Sequence, residues 1–118
     1  MRKKEKTYDF RALGQAIKEA RIKQGITREQ LAEKLDMVDR YLANIENAGQ
    51  HTSLQYFYEL TTMFYISIDQ YFYPNVEPLK NTQRRQIDGL LDNLTEKELI
   101  IVESTIAGIL KAREKENE

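Results

Sequence analysis

A chain of 118 residues is long enough for one compact domain, or for a small domain with an appended segment. It has no cysteine, which excludes a disulfide framework and a thiolate zinc site, and its longest aliphatic run is too short to cross a membrane. The net charge of −1 conceals an uneven distribution: residues 1–28 carry nine basic and three acidic side chains, whereas residues 51–118 carry seven and eleven. We therefore expect a cytoplasmic protein that binds no membrane and has a basic end suited to a polyanion, although a basic tail without a partner would have the same composition.

Helical periodicity marks three segments in the first half of the chain. The first segment ends at Gly25, and its apolar residues recur at helical spacing: Phe10, Leu13, Ile17 and Ala20. Thr27 and Gln30 form a capping box, which predicts the start of a second helix with Leu31, Ala32 and Leu35. After a break at residues 36–38, a third helix carries Tyr41, Leu42 and Ile45 and ends near residues 47–49.

Further helices are predicted downstream. Ser53 and Ser67 can cap a fourth and a fifth helix, and Pro74 and Pro78 delimit a linker. Residues 84–91 form the next predicted helix, and a second capping box at residues 95–98 opens the last one. The sequence thus predicts an all-α protein with one domain at residues 8–73, a linker at 74–82 and a C-terminal helical pair at 83–115.

The second and third helices are short, about eight residues each, and only about three or four residues separate them. Because this break is too short for an ordinary antiparallel hairpin, the two helices should cross steeply, as they do in a helix-turn-helix. The second helix of that motif can enter the major groove of DNA. Short helices with tight turns also occur in plain helical domains, so the spacing alone leaves that alternative open.

The motifs between Leu13 and Phe72 resemble the Cro/repressor-type (XRE) helix-turn-helix family. The resemblance rests on Arg21-x-x-x-Gly25-Ile26-Thr27-x-x-x-Leu31-Ala32, then Tyr41-Leu42-x-x-Ile45-Glu46-Asn47, and later Ser53-Leu54, Leu60 and Ile66-Ser67-Ile68-Asp69. Asn44-Ile45-Glu46-Asn47 followed by Gly49-Gln50-His51 is further similar to small regulators carried on bacterial mobile elements. The resemblance implies a five-helix repressor-like domain, sequence-specific binding to double-stranded operator DNA, and usually repression of transcription.

Two departures from the family pattern concern the turn and the third helix. Asp36 stands where glycine is usual, and Asp tolerates the left-handed backbone conformation. Val38 stands where Ser or Thr usually caps the third helix, so the cap can pass to Asp39. The resemblance also implies a partly buried ion pair between Arg21 and Glu46, which would tie the third helix to the first.

The third helix supplies the candidate base contacts. Arg40 and Asn44 lie four residues apart on the face opposite Leu42 and Ile45. Arginine can bond to guanine, and asparagine to adenine, through two hydrogen bonds each, although a solvated helix face is the alternative. Asp39 could accept a hydrogen bond from cytosine or cap its helix, and we favour the cap.

Candidate phosphate contacts flank that helix. Arg28, at the start of the second helix, occupies the position that approaches the DNA backbone in the family. Three polar residues are predicted in the loop that follows the third helix, where they can contact phosphate or simply face solvent: Asn47, Gln50 and His51.

No catalytic or metal-binding constellation is visible. His51 is the only histidine, no cysteine accompanies it, and no glycine-rich loop for phosphate is present, so we expect neither an enzyme nor a cofactor. The aromatic residues between 56 and 73 could stack on single-stranded bases. Their helical spacing and the lack of Lys or Arg in residues 51–73 favour a place in the core.

The last predicted helix carries an apolar stripe: Leu99, Val102, Ile106 and Ile109. The stripe gives this helix more apolar surface than one exposed helix should carry. This favours a homodimer over a monomeric hairpin in which residues 87–94 cover the stripe. A dimer would contact two half-sites of an operator, about 34 Å apart. A different hypothesis is an antitoxin-like or adaptor protein that uses the same fold mainly to bind another protein, as the acidic second half would allow.

Overall fold

The structure is a computed structural model that describes residues 7–117, and within them it contains seven helices and no strand. In chain order the helices are α1 (Arg11–Lys23), α2 (Arg28–Lys34), α3 (Asp39–Ala48), α4 (Leu54–Met63), α5 (Ile68–Phe72), α6 (Thr82–Leu91) and α7 (Glu96–Glu116). The predicted all-α class is confirmed.

Capping side chains start four of these helices as predicted. In each, a hydroxyl accepts the backbone N–H of the residue three positions on, at Thr27, Ser53, Ser67 and Thr95. Helix α3 differs, because its N-cap is Val38 and no side chain caps it. The prediction that Asp39 takes over the cap is wrong: Asp39 is the first helical residue, and its carboxylate accepts hydrogen bonds from the Arg28 guanidinium instead.

Four turns among the first five helices use a left-handed backbone. The φ angle is 72° at Gly25 after α1 and 69° at Gly49 after α3. Asp36, after α2, has a φ of 52°, so the expectation that aspartate accepts this conformation is confirmed. Tyr65, after α4, has a φ of 55°, which is uncommon for a tyrosine, and its carbonyl oxygen accepts a 3.3 Å hydrogen bond from Arg85 Nε.

One hydrophobic core lies between α1, α2, α3 and α4. Its buried members are Leu13, Ile17, Ala20, Leu31, Ala32, Met37, Leu42, Ile45, Leu60, Phe64 and Ile66. Helices α1 and α3 approach closely at Gly14, where an added Cβ would overlap the carbonyl oxygen of Ile45. The small residue therefore sets the spacing between α1 and the helix predicted to contact DNA.

The chain divides into two compact units, the first ending at Gln86 and the second beginning at Ile87. The boundary falls inside α6, and the first turn of α6 is anchored in the first unit. Thr82 is buried there: its hydroxyl accepts the Ser67 amide at 3.0 Å, and its own amide donates to Gln70 Oε1 at 2.7 Å. The first unit therefore includes contacts well beyond Tyr73.

The second unit contains the end of α6 and the whole of α7. Helix α7 is 21 residues long and has no buried residue. Val102 is half-buried, whereas the large apolar side chains from Leu99 to Leu110 otherwise remain 36% to 65% exposed. Across residues 7–117, no helix combines the length and the apolar character needed to cross a membrane.

Candidate nucleic-acid interface

Helix α2, the turn that follows it and α3 form a helix-turn-helix with a fixed turn. The Met37 amide donates to the Ala32 carbonyl oxygen at 2.8 Å, which closes the chain back onto α2. The Tyr56 hydroxyl on α4 donates to the Asp36 carbonyl oxygen at 3.0 Å. These two bonds hold the left-handed residue from both sides, so the start of α3 has a defined position.

A buried ion pair anchors the other end of α3. Arg21 Nε donates to Glu46 Oε2 at 2.8 Å and Arg21 Nη2 donates to Glu46 Oε1 at 3.0 Å. The two side chains are only 10% and 0% exposed. Arg21 Nη1 also donates to the Ile26 carbonyl oxygen at 2.9 Å. The structure thus brings together the two residues that the resemblance pairs, and it joins α1, the turn before α2 and the end of α3.

Helix α3 has a buried face and an accessible face. Leu42 and Ile45 lie in the core, whereas Arg40 is exposed and Asn44 is half-buried. Val38, at the start of the helix, is 70% exposed. Of the two predicted base contacts, Arg40 is therefore accessible to a ligand and Asn44 only partly so.

The start of α3 carries a second ion pair, which was not predicted. Arg28 Nε donates to Asp39 Oδ1 at 3.0 Å, and Arg28 Nη2 donates to Asp39 Oδ2 at 3.1 Å. The hydrogen bonds from Arg28 lower the pKa of the Asp39 carboxyl, and the same contact raises the pKa of Arg28. Both side chains remain more than a third exposed, so the pair lies at the surface.

This pair affects two predicted DNA contacts, the phosphate contact of Arg28 and the base contact of Asp39. Arg28 is not a bare surface charge, because two of its five N–H donors already bond Asp39. The sequence contained one signal of this ion pair, namely opposite charges on the first turns of α2 and α3, because the short turn brings these two helix starts together.

The residues predicted to flank the site are held to different degrees. Asn47 lies in the last turn of α3 and not in the following loop as predicted, because the helix continues to Ala48. Its Oδ1 atom accepts a 2.8 Å hydrogen bond from Lys18 Nζ on α1. Gln50 and His51 are exposed in the loop after α3. The Gln50 amide donates to the Asn44 carbonyl oxygen at 3.2 Å, which keeps the loop against the helix end. Lys18, a contact of Asn47 from 29 positions away, has no signal in the sequence.

The chemistry available here is hydrogen bonding and charge. Among residues 7–117, no group of three His, Cys, Asp or Glu side chains could hold a metal ion. The accessible side of α3 instead offers a guanidinium and an amide, which are groups that bond to base edges, with a second guanidinium beside them.

Two protein-family models match the chain. Residues 17–70 match the family described as "Helix-turn-helix", which spans most of α1 through α5. Residues 80–114 match a family described as "Putative DNA-binding domain". A search of the curated proteins finds no match.

The fold and these matches define a helix-turn-helix DNA-binding protein. Residues 17–70 of the first unit form a helix-turn-helix domain of the Cro/repressor (XRE) type, in which α2 and α3 are the two helices of the motif, and the chain is a DNA-binding regulator.

Proposed function

We propose that the protein is a transcriptional repressor that binds a palindromic operator in double-stranded DNA as a homodimer. The observation that carries the proposal is the accessible side of α3, which presents Arg40. The helix is held at one end by the buried Arg21–Glu46 pair and at the other by the two hydrogen bonds of the turn around Asp36. Side chains that contact bases must be positioned accurately, and a helix fixed at both ends provides this.

Arg40 is the main base-contacting residue of this proposal. Its guanidinium can bond to O6 and N7 of guanine, and Asn44, one turn further along, can bond to adenine where it is accessible. Asp39 is the third candidate, since a carboxylate can accept from cytosine N4 while Arg28 orients it.

The DNA backbone is contacted from both ends of α3 in this proposal. Arg28 keeps three N–H donors beyond those used by Asp39 and can give one to a phosphate. Asn47, Gln50 and His51 are candidates at the other end, with Asn47 already oriented by Lys18.

The second unit supplies the dimer contact in this proposal. The alternative hairpin would cover the stripe with residues 87–94, yet Leu99, Ile106 and Ile109 stay 36% to 55% exposed. Residues 80–114, which match the second family model, contain six basic and six acidic side chains. A segment without excess positive charge gains little from phosphate attraction, so we assign it to assembly of a DNA-binding protein.

Selection of binding sites from random duplex DNA tests the proposal directly. We expect an enriched palindrome, and we expect Arg40→Ala to weaken binding by about 1–3 kcal/mol and to relax preference at one base pair of each half-site. Lys34→Ala, which removes an exposed charge from the far end of α2, is the matched control and should bind as the wild type does. An enriched site that Arg40→Ala binds with unchanged affinity and preference would contradict the placement of the DNA-facing side.

A protein-interaction module is the second candidate, because an exposed apolar helix in the acidic second half of the chain also suits a protein partner. The same selection separates the two. DNA binding should fall steeply with salt, as counterion release requires, whereas a module that acts only on proteins would enrich no sequence.

A further inference from the structure

Helix α7 presents an apolar stripe with the spacing of paired helices. The stripe consists of Leu99, Val102, Ile106 and Ile109, whose 3-4-3 spacing keeps one seam against a neighbouring helix. At a rise of about 1.5 Å per residue, the stripe is about 15 Å long. Most of it is exposed, as is Leu110 beside it, and Ile100 and Ile101 on the other side of the helix are exposed as well. A helix of this kind needs a second helix to cover it.

The charges of α7 separate along its length. The N-terminal end carries Glu96, Glu98 and Glu103 with one lysine, and the C-terminal end is rich in basic residues, namely Lys111, Arg113 and Lys115, with two glutamates. No charged residue lies between positions 104 and 110. The apolar stripe therefore lies between an acidic end and a basic end.

The same distribution favours the isolated helix, because acidic side chains stabilise a helix N-terminus and basic ones its C-terminus. The charges alone would thus not require a partner. The exposed stripe does require one, and once two copies of α7 meet, the charges decide their orientation.

An antiparallel pair centred near position 104 places Leu99 opposite Ile109 and Val102 opposite Ile106 of the partner helix. The acidic end of each helix then lies beside the basic end of the other, with Arg113 near Glu96. A parallel pair places like ends together, and Arg113, which continues the spacing of the stripe, would face its own copy. Glu103 does not discriminate between the two orientations, because it has an acidic neighbour in both. In the antiparallel pair that neighbour is the other copy of Glu103, and in the parallel pair it is the other copy of Glu98.

We infer that two copies of the chain pair through α7 in an antiparallel orientation. The inference rests on the homodimer of the proposed function and adds the geometry of its interface: an apolar centre of about 15 Å, flanked at both ends by oppositely charged contacts related by the two-fold axis.

Cysteine cross-linking of the full chain tests this orientation, because the wild type contains no cysteine. Leu99→Cys and Ile109→Cys are purified separately, one with a size tag, mixed under reducing conditions and then oxidised. A disulfide needs Cβ atoms about 4 Å apart, and the two positions are about 15 Å apart along one helix. We expect the mixed dimer to cross-link and neither variant to cross-link with itself. Ser104→Cys, on the side of α7 away from the stripe, should not cross-link.

If each variant cross-links with its own copy and the two variants do not cross-link with each other, the antiparallel orientation is overturned while the homodimer stays in place. A wild-type chain that light scattering finds monomeric at the concentrations that bind DNA would overturn the homodimer itself, and the orientation with it.

Charge reversal gives a second test that leaves the apolar stripe intact. In the antiparallel pair, Arg113→Glu should raise the dimer dissociation constant about two- to five-fold at low salt, and adding Glu96→Arg should restore it. In a parallel pair each variant exchanges one like-charged contact for another, so unchanged dissociation constants in all three variants would contradict the inference.

Discussion

The buried pair between Arg21 and Glu46 allows the sharpest test of what holds α3 in place. We consider a cycle of three variants, Arg21→Met, Glu46→Leu and the double substitution, which removes each charge alone and then both. Breaking a buried pair by removing one partner typically costs about 3–5 kcal/mol, because the other charge is left buried and uncompensated. Replacing both with apolar groups is often neutral.

The structure makes the two single variants unequal. Glu46 is fully buried, and both of its carboxylate oxygens are bonded by Arg21, so Arg21→Met leaves it without its partner. In Glu46→Leu, Arg21 keeps its bond to the Ile26 carbonyl oxygen and is closer to solvent. We therefore expect a loss of about 3–5 kcal/mol for Arg21→Met, a smaller loss for Glu46→Leu, and a double variant more stable than Arg21→Met.

Urea unfolding and thermal unfolding, both followed by circular dichroism, measure these differences. In a unit of this size 3 kcal/mol corresponds to a fall in Tm of roughly 12–24 °C, well beyond experimental error. Lys23→Met, at the exposed end of the same helix, is the control and should change stability by no more than about 0.5 kcal/mol. If Arg21→Met does not fold, Glu46→Gln supplies the measurement, because it keeps the shape and removes the charge. Equal and small losses in all variants would refute the argument, since that is the behaviour of two independent surface charges.

Three further predictions concern α3 and its supports. Val38→Thr should stabilise the first unit by about 0.5–1 kcal/mol in urea unfolding, because it supplies the side-chain cap that α3 lacks; a loss would show that Val38 packs usefully. In the same assay, Gly14→Ala should cost about 1–3 kcal/mol or more, because the added Cβ pushes α1 away from α3. Gly108→Ala is the control and should be neutral or stabilising, since its Cβ would have no atom within 4 Å. Similar results for both variants would contradict the close approach of α1 and α3. Because Arg28 lowers the pKa of Asp39, their contact stabilises the fold above the ordinary carboxyl value of 3.8 and is lost as pH falls through the lowered pKa. The difference in stability between wild type and Asp39→Asn should therefore vanish at low pH, and a difference that persists there would indicate another cause.

The local features of the fold could be predicted because the signals lie within a few residues of each other. A Ser or Thr hydroxyl at a helix start can accept the free backbone N–H of the residue three positions on. Thr27, Ser53 and Ser67 each cap a helix in this way. Asp36 was predictable for a similar reason, since its tolerance of a left-handed backbone belongs to the residue type.

Contacts between helices were harder to predict, because they depend on how rigid elements meet. Asp39 has the right chemistry for a cap, and only the position of Arg28 across the turn decides that its carboxylate is used elsewhere. Thr82 looked like a linker residue after two prolines, yet its hydroxyl and amide are bonded to α5 and its N-cap. In both cases a distant partner overrides the local preference.

The pairing of Arg28 with Asp39 bears on how the domain would distinguish the proposed operator from other DNA. Non-specific affinity comes from basic side chains that neutralise phosphates, and an unpaired carboxylate at the start of α3 would repel the backbone. Arg28 cancels that repulsion but contributes little excess positive charge, because Asp39 is bonded to it. The start of α3 itself should therefore attract arbitrary DNA only weakly. In the proposed function, discrimination then comes from well-positioned base contacts such as that of Arg40, which each protomer of the proposed homodimer would make once. For this reason the rigidity of α3 and the proposed pairing of α7 would serve the same mechanism.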